Sequence, residues 1–240
     1  MFFDGLEDAY DKGKLMGSFA EDCAQKYGFS RRQQDDFSIS SVIKAKSANE
    51  KGKYAWEIIP VQIKRGKDEF FIERDEQPFK SNIEKIPNLK PAFKKNGTVT
   101  AANSSSISDG AASICLSRLS YAKKLGVKPL AKIVGFSSYA QEPNWFTTAP
   151  IGAIKKLYEK IDWKIEKTDL FEINEAFAVV TMATEKEFNI PRERINVNGG
   201  ACALGHPIGA SGARIIVTLI GALKQKGLKK GVASLCIGGG

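Results

Sequence analysis

One histidine, His206, stands in a run of small residues, Asn196-Val197-Asn198-Gly199-Gly200-Ala201-Cys202-Ala203-Leu204-Gly205-His206-Pro207-Ile208-Gly209-Ala210-Ser211-Gly212, which leads into an apolar helical pattern from Ala210. Glycines let a backbone take positive φ and approach a ligand closely, and an imidazole exchanges protons near neutral pH. A satisfied core histidine is the ordinary fate of such a residue. Here Gly205 and Pro207 fix the ring from either side, and the amides of the helix that opens next suit an anion. Upstream, Asn174-Glu175-Ala176-Phe177 follows the apolar run Leu170-Phe171-Glu172-Ile173, where Asn174 is a good helix N-cap residue. Near the end, Val232-Ala233-Ser234-Leu235-Cys236 runs into Gly238-Gly239-Gly240. A cysteine there is often a small buried apolar residue, yet a strand end opening into glycines is where catalytic groups emerge from an α/β sheet.

These loops need elements to hold them. Met16, Phe19, Ala20, Cys23, Ala24 and Tyr27 recur at helical spacing, with Gly28 as a stop. Ser30 with Gln33 reads as a capping box opening a second helix that runs to about Glu50. Ile58 to Ile63 and Glu69 to Glu73 are strand-like around a turn at Arg65-Gly66-Lys67. Prolines 78, 87 and 91 make the stretch from Gln77 to Phe93 an ordered, irregular loop. From Leu130 the pattern alternates. Leu130 to Phe136 predicts a strand, Ile151 to Ile161 a helix, Leu170 to Ile173 a strand and Glu175 to Phe188 a helix. A helix from Ala210 to Lys226 and a buried strand from Val232 to Ile237 complete it. Such alternation predicts the α/β class, a layered sheet with helices on its faces.

The 240 residues are 42% hydrophobic and 26% charged, ordinary for a soluble globular protein. No run approaches eighteen apolar residues, and no basic, then apolar, leader opens the chain, so neither a membrane span nor a signal peptide is expected. Four cysteines without paired spacing predict free thiols in a reducing compartment, cytoplasm or mitochondrial matrix. The net charge of +9 is spread among acids, as in Glu159-Lys160 and Glu166-Lys167, which predicts a solvated surface and no nucleic-acid partner. An anionic ligand would still gain from the field.

Together the Asn174, His206 and Cys236 motifs resemble those of the thiolases, the acetyl-CoA acetyltransferases and their 3-ketoacyl-CoA-cleaving relatives, and the likeness runs over essentially all 240 residues. It implies the layered αβαβα thiolase fold. Residues 1–107 would form an α+β loop domain that binds coenzyme A, 108–128 would rejoin an N-terminal half, and 129–240 would be the C-terminal thiolase domain. The resemblance makes His206 the base for a cysteine thiolate and a donor to the thioester oxygen. Asn174 would hold a water that completes that oxyanion hole. Cys236 would move the proton at the acyl α-carbon, a task open to a thiol because its pKa is tunable towards neutrality, and the Gly238 amide would help a second oxyanion hole. Ala176 and Phe177 would line the pantetheine channel, with Ser105 on the pantetheine and Phe93 bordering the cofactor. Leu15 and Met16 would line the acyl pocket, a place that plain core residues also fill.

The implied substrates are acetyl-CoA, acyl-CoA or 3-ketoacyl-CoA, with no prosthetic group, metal or membrane, and the complete protein would be a homodimer or homotetramer. Phe79-Lys80 departs from the arginine that many relatives place at the adenine end, and Trp145-Phe146-Thr147-Thr148 falls in a stretch that contributes to acyl choice. The cysteine that the family acylates precedes the region matching Met1, and Cys23, Cys115, Cys202 and Cys236 do not supply it. The chain is therefore expected to be the C-terminal part of a thiolase, inactive alone and exposing the face that packs on the rest. A decarboxylating ketoacyl synthase would need two histidines with one cysteine, against the one histidine present. A non-catalytic coenzyme-A-binding fragment is the alternative of a different class.

Overall fold

The computed structural model describes residues 2–239. Helix α1 (Met16–Tyr27) turns Met16, Phe19, Ala20, Cys23 and Ala24 inward and stops at Gly28, whose φ of +68° closes its last turn. Helix α2 (Arg31–Glu50) opens on a complete capping box. Ser30 Oγ accepts from Gln33 N at 3.2 Å, and Gln33 Oε1 accepts from Ser30 N at 2.8 Å. Strands β1 (Val61–Arg65) and β2 (Asp68–Ile72) form an exposed antiparallel hairpin with Arg65 opposite Asp68. The proline-interrupted stretch holds a single helical turn, α3 (Gln77–Lys80), then a 3₁₀ turn over Ile83–Asn88. Then come α4 (Leu119–Lys124), α5 (Ala149–Lys160), β3 (Leu170–Ile173), α6 (Ala178–Phe188), α7 (Ala201–Leu204), α8 (Ile208–Lys226) and β4 (Gly231–Ser234).

Strands β3 and β4 pair in parallel, Phe171 beside Val232, and Ile195 adds a parallel bridge on the far side of Phe171. A parallel pair needs a long crossover, which α6 to α8 provide. Period-two alternation sorts the strands' side chains between two layers. Phe171, Ile173 and Val232 pack with Ile154 of α5, Ile190 and Ile195, whereas Leu170 and Ala233 pack with Leu219, Ala222 and Leu223 of α8. Helix α1 joins Val179, Val180 and Ala183 of α6 in a third cluster that also holds Met16, Ala176, Phe177 and Cys236. The result is an α/β layered fold whose third cluster takes in Cys236 beyond the end of β4.

Four elements differ from the sequence reading. Residues 130–136 form no strand. They run along α5, where Ser137 Oγ donates to Ala153 O at 2.6 Å, and an apolar slot of about 730 Å³ separates them from β4. A strand exists only when a neighbour is close enough to bond it. Helix α6 starts at Ala178, not Glu175, because Ser104 bridges Phe177 and Asn103 O takes the Ala178 N–H at 2.8 Å, which holds the preceding residues extended. Strand β4 ends at Ser234, so Cys236 lies two residues past it. The hairpin strand begins at Val61, since Ile58 still bonds back to Tyr54 O at 3.0 Å.

Candidate active site

The end of β3 is clamped from two sides. Asn174 N donates to Ser234 O of β4 at 2.9 Å. Asn196 exchanges both of its amide groups with Ile173, its Oδ1 accepting from Ile173 N and its Nδ2 donating to Ile173 O, each at 2.8 Å. Asn174 is thus no helix cap. Its Nδ2 lies 3.3 Å from His206 Nε2, and its buried Oδ1 has no protein donor among the described residues. An unsatisfied buried carbonyl of this kind suits an ordered water.

His206 is held by its loop. Its backbone N donates to Ser106 O at 3.0 Å, and its Nδ1 lies 2.6 Å from Ser211 Oγ in the first turn of α8. Gly205 takes φ of +89°, and a Cβ there would sit 2.0 Å from Ser108 Oγ, so no other residue fits. Burial, then the positive charge of Arg214, pushes the imidazole below its ordinary value, so it is neutral at pH 7.

Cys236 is buried in the cluster of Met16, Phe19, Cys23, Ala176 and Phe177. Burial pushes its thiol up to about 12, and that of Cys23 up to about 11. At pH 7 the Cys236 thiol is therefore protonated. Exposed Gly238 follows it, and a Cβ at Gly238 would lie 2.8 Å from Met16 Sδ.

The other expected site residues gather along one wall. Ser105 donates from both N and Oγ to Ala176 O, each at 3.0 Å. The Phe93 ring meets Phe177 edge-on with centroids 6.1 Å apart, and it fills space that a side chain at Gly17 would need. Leu15 is half-buried at the mouth of α1, and Met16 is buried behind it. At the two departures, the Arg74 guanidinium stacks on Phe79 at 4.5 Å and Lys26 on Trp145 at 4.0 Å. Cys202 is buried with its N–H on Glu175, Cys23 is buried in α1, and Cys115 is exposed. None of these three is hydrogen-bonded to His206.

Two polar residues beside the site escaped the sequence reading. The buried Glu175 carboxylate accepts from Ser41 Oγ at 2.7 Å, Asn196 Nδ2 at 2.8 Å and Cys202 N at 3.0 Å. It ties α2 and α7 to the end of β3. An acid inside an otherwise apolar run was its only signal. Ser211 was visible only as part of a small-residue loop.

Comparison with known proteins agrees with this geometry. Family profiles described as "Thiolase, N-terminal domain" and "Thiolase, C-terminal domain" match residues 1–120 and 127–240. The chain is 51% identical over 238 residues to a "Probable acetyl-CoA acetyltransferase" of Dictyostelium discoideum, covering 99% of this chain and 57% of that protein. It is 48% identical over 244 residues to "Acetyl-CoA acetyltransferase 2" of Arabidopsis thaliana, covering 100% of this chain and 60% of that one. The crystal structure of the Bacillus anthracis acetyl-CoA acetyltransferase matches with a TM-score of 0.95 at 45% identity, over 98% of this chain and 60% of that chain. That of human mitochondrial 3-ketoacyl-CoA thiolase matches at 0.90 and 36%, over the same shares. The chain spans about 60% of the length of these relatives. By family profile, sequence identity and fold, it belongs to the thiolase family.

Proposed function

We propose that this chain supplies the base, one oxyanion hole and the carbon-acid half of a thiolase that moves an acetyl or other acyl group between coenzyme A thioesters. Its reaction would be Claisen condensation or thiolytic cleavage of a 3-ketoacyl-CoA. The observation that carries this is the Asn174 Nδ2 to His206 Nε2 approach of 3.3 Å at the end of β3. In this reading a cysteine thiol, contributed by residues outside these 240, gives its proton to Nε2 and attacks the thioester carbonyl. The new Nε2–H and a water held by Asn174 Oδ1 then share the negative charge that grows on the carbonyl oxygen. As the carbonyl re-forms, the bond to the coenzyme A sulfur breaks and the leaving thiolate would take the Cys236 proton, which leaves an acyl-cysteine, free coenzyme A thiol and a Cys236 thiolate able to accept the α-carbon proton. Preorganised donors in a dry site do this far better than water. In the second half Cys236 takes or returns the proton at the α-carbon of the second thioester, whose oxygen the Gly238 amide would help to hold. Ser105, Phe93, Ala176 and Phe177 would border the pantetheine arm, with Leu15 and Met16 behind the acyl group.

The three-part division at residues 107 and 128, a homo-oligomeric whole and a reducing compartment belong to the same proposal, the last supported by four unpaired thiols. A second reading, a coenzyme-A-binding piece without turnover, is favoured by the burial of Cys23 and Cys202, which leaves neither thiol open to a thioester. The test is His206→Ala in the complete enzyme. A lost general base lowers turnover by about a hundred- to ten-thousand-fold. Near-normal turnover in a folded variant overturns the assignment.

A further inference from the structure

We propose that Ser211 is a positioning residue that fixes the proton of His206 on Nδ1 and leaves Nε2 as the lone-pair nitrogen facing Asn174. The inference rests on the reading of His206 as a base acting through Nε2, and it deepens that reading by naming what sets the tautomer. Ser211 Oγ lies 2.6 Å from His206 Nδ1 and 3.0 Å from Pro207 O. A hydroxyl has one proton to give. Directed back along the first turn of α8 to the Pro207 carbonyl, it leaves Oγ only its lone pairs for the ring, so Nδ1 is the donor. The other end of the ring agrees. The Asn174 amide nitrogen only donates, so Nε2, 3.3 Å from it, accepts.

The two contacts demand the same proton placement from opposite sides. Ser211 is fully buried, so no bulk water competes for its hydroxyl. Pro207 as helix cap and α8 as scaffold set the five-residue reach from ring to hydroxyl. When Nε2 takes a proton, the imidazolium keeps its Nδ1–H on Oγ, and the ring need not turn.

The single histidine makes the test direct. The 240-residue chain, labelled with ¹⁵N-histidine, yields one imidazole, whose two nitrogens are read by magic-angle-spinning ¹⁵N spectra, which do not require a monomeric chain, at about pH 8, above the ordinary titration range. The expected result is a protonated, pyrrole-like Nδ1 and a pyridine-like Nε2. Ser211→Ala moves the population towards Nε2–H, and Ser211→Thr, which keeps the hydroxyl, restores Nδ1–H. In the complete enzyme Ser211→Ala lowers kcat about tenfold or more with KM little changed, the pattern of an interaction realised in the transition state. An Nε2–H tautomer in the unaltered chain, or a tautomer indifferent to Ser211→Ala, overturns the proposal. If the tautomer responds as expected while His206→Ala leaves turnover intact, the positioning stands and the general-base reading is the one that fails.

Discussion

Burial acts on His206 and Cys236 in opposite directions and leaves both neutral at pH 7. The imidazole is pushed down and the thiol up to about 12. In the proposed function the neutral imidazole would take the nucleophile's proton and the Cys236 thiol would serve the α-carbon. Acylation needs a nucleophile, its base and an oxyanion hole, whereas making or breaking the carbon–carbon bond also needs a proton moved at a weakly acidic carbon. Cys236→Ser in the complete enzyme keeps the size of the side chain but exchanges the thiol for a much weaker acid. Acyl exchange between coenzyme A thiols should stay within a few-fold of normal, while condensation and thiolysis fall by about a hundred- to ten-thousand-fold. Parallel exchange and condensation assays decide this. Condensation at an undiminished rate would remove Cys236 from the mechanism.

Strand β3 carries a second electrostatic feature, on the face turned from α5. Glu172 sits beside Leu170 on the α8 side, fully buried, with Arg214 Nη1 at 3.7 Å. Burial raises its carboxyl to about 8, and Arg214 pulls the other way without offsetting that burial. Glu57, bonded to Thr218 Oγ1 at 3.1 Å, is raised to about 7, again by burial first. Both values lie above the ordinary 4.5 of the unfolded chain. Between 4.5 and the folded values the native state therefore binds more protons, and stability falls as pH rises through that window. Each pKa unit is worth about 1.4 kcal/mol. Glu172→Gln, a permanent mimic of the protonated acid, should match the parent's melting temperature near about pH 5 and exceed it by several degrees at about pH 8.5, a shift of order a few kcal/mol. Calorimetry at the two pH values is the measurement, and a gap that does not change with pH counts against the argument.

The same scale explains what could be read in advance. Helices α1 and α2 were legible because Gly28 and the Ser30–Gln33 box are local signals, and β3 because its apolar run is short and bounded. Residues 130–136 have the composition of a strand but no neighbour at bonding distance, and sequence does not reveal a missing neighbour. The start of α6 was set by Asn103 and Ser104, some 75 residues away, which overrode the local preference of Asn174 for a cap. Asn174, His206 and Cys236 were visible by residue type and by the motifs around them. Glu175 was not, since its role depends on Ser41, 134 positions earlier, nor was Ser211, whose role is a hydrogen-bond direction.

Across the whole molecule, apolar surface is distributed unevenly. The histidine loop and the wall beside it are packed, whereas the stretch from Ile107 to Tyr139 exposes one large side chain after another. Leu116 is 71% exposed, Leu130 68% and Phe136 83%, with Leu119, Leu125, Val127 and Ile133 between them. The slot between residues 130–137 and β4 adds further apolar wall along the same side, from Leu157 and Ile161 of α5 and from Ile216, Ile220 and Leu223 of α8. Scattered exposed apolar residues need no explanation, but a contiguous surface of this kind favours association. The net charge of +9 opposes it only weakly at ordinary salt, where screening acts over about 8–10 Å. The isolated 240-residue chain should therefore self-associate at micromolar concentration and bind an environment-sensitive dye. The double variant Leu130→Lys with Phe136→Lys should shift sedimentation towards the monomer without loosening the sheet. Hydrogen exchange separates the two effects: amides of β3 and β4 should stay protected in both proteins, while those of residues 107–139 exchange fast in the monomeric variant. A parent chain that remains monomeric and dye-silent at about 100 μM, well inside the micromolar-to-millimolar range where such patches drive association, would show that this surface is better solvated than its composition implies.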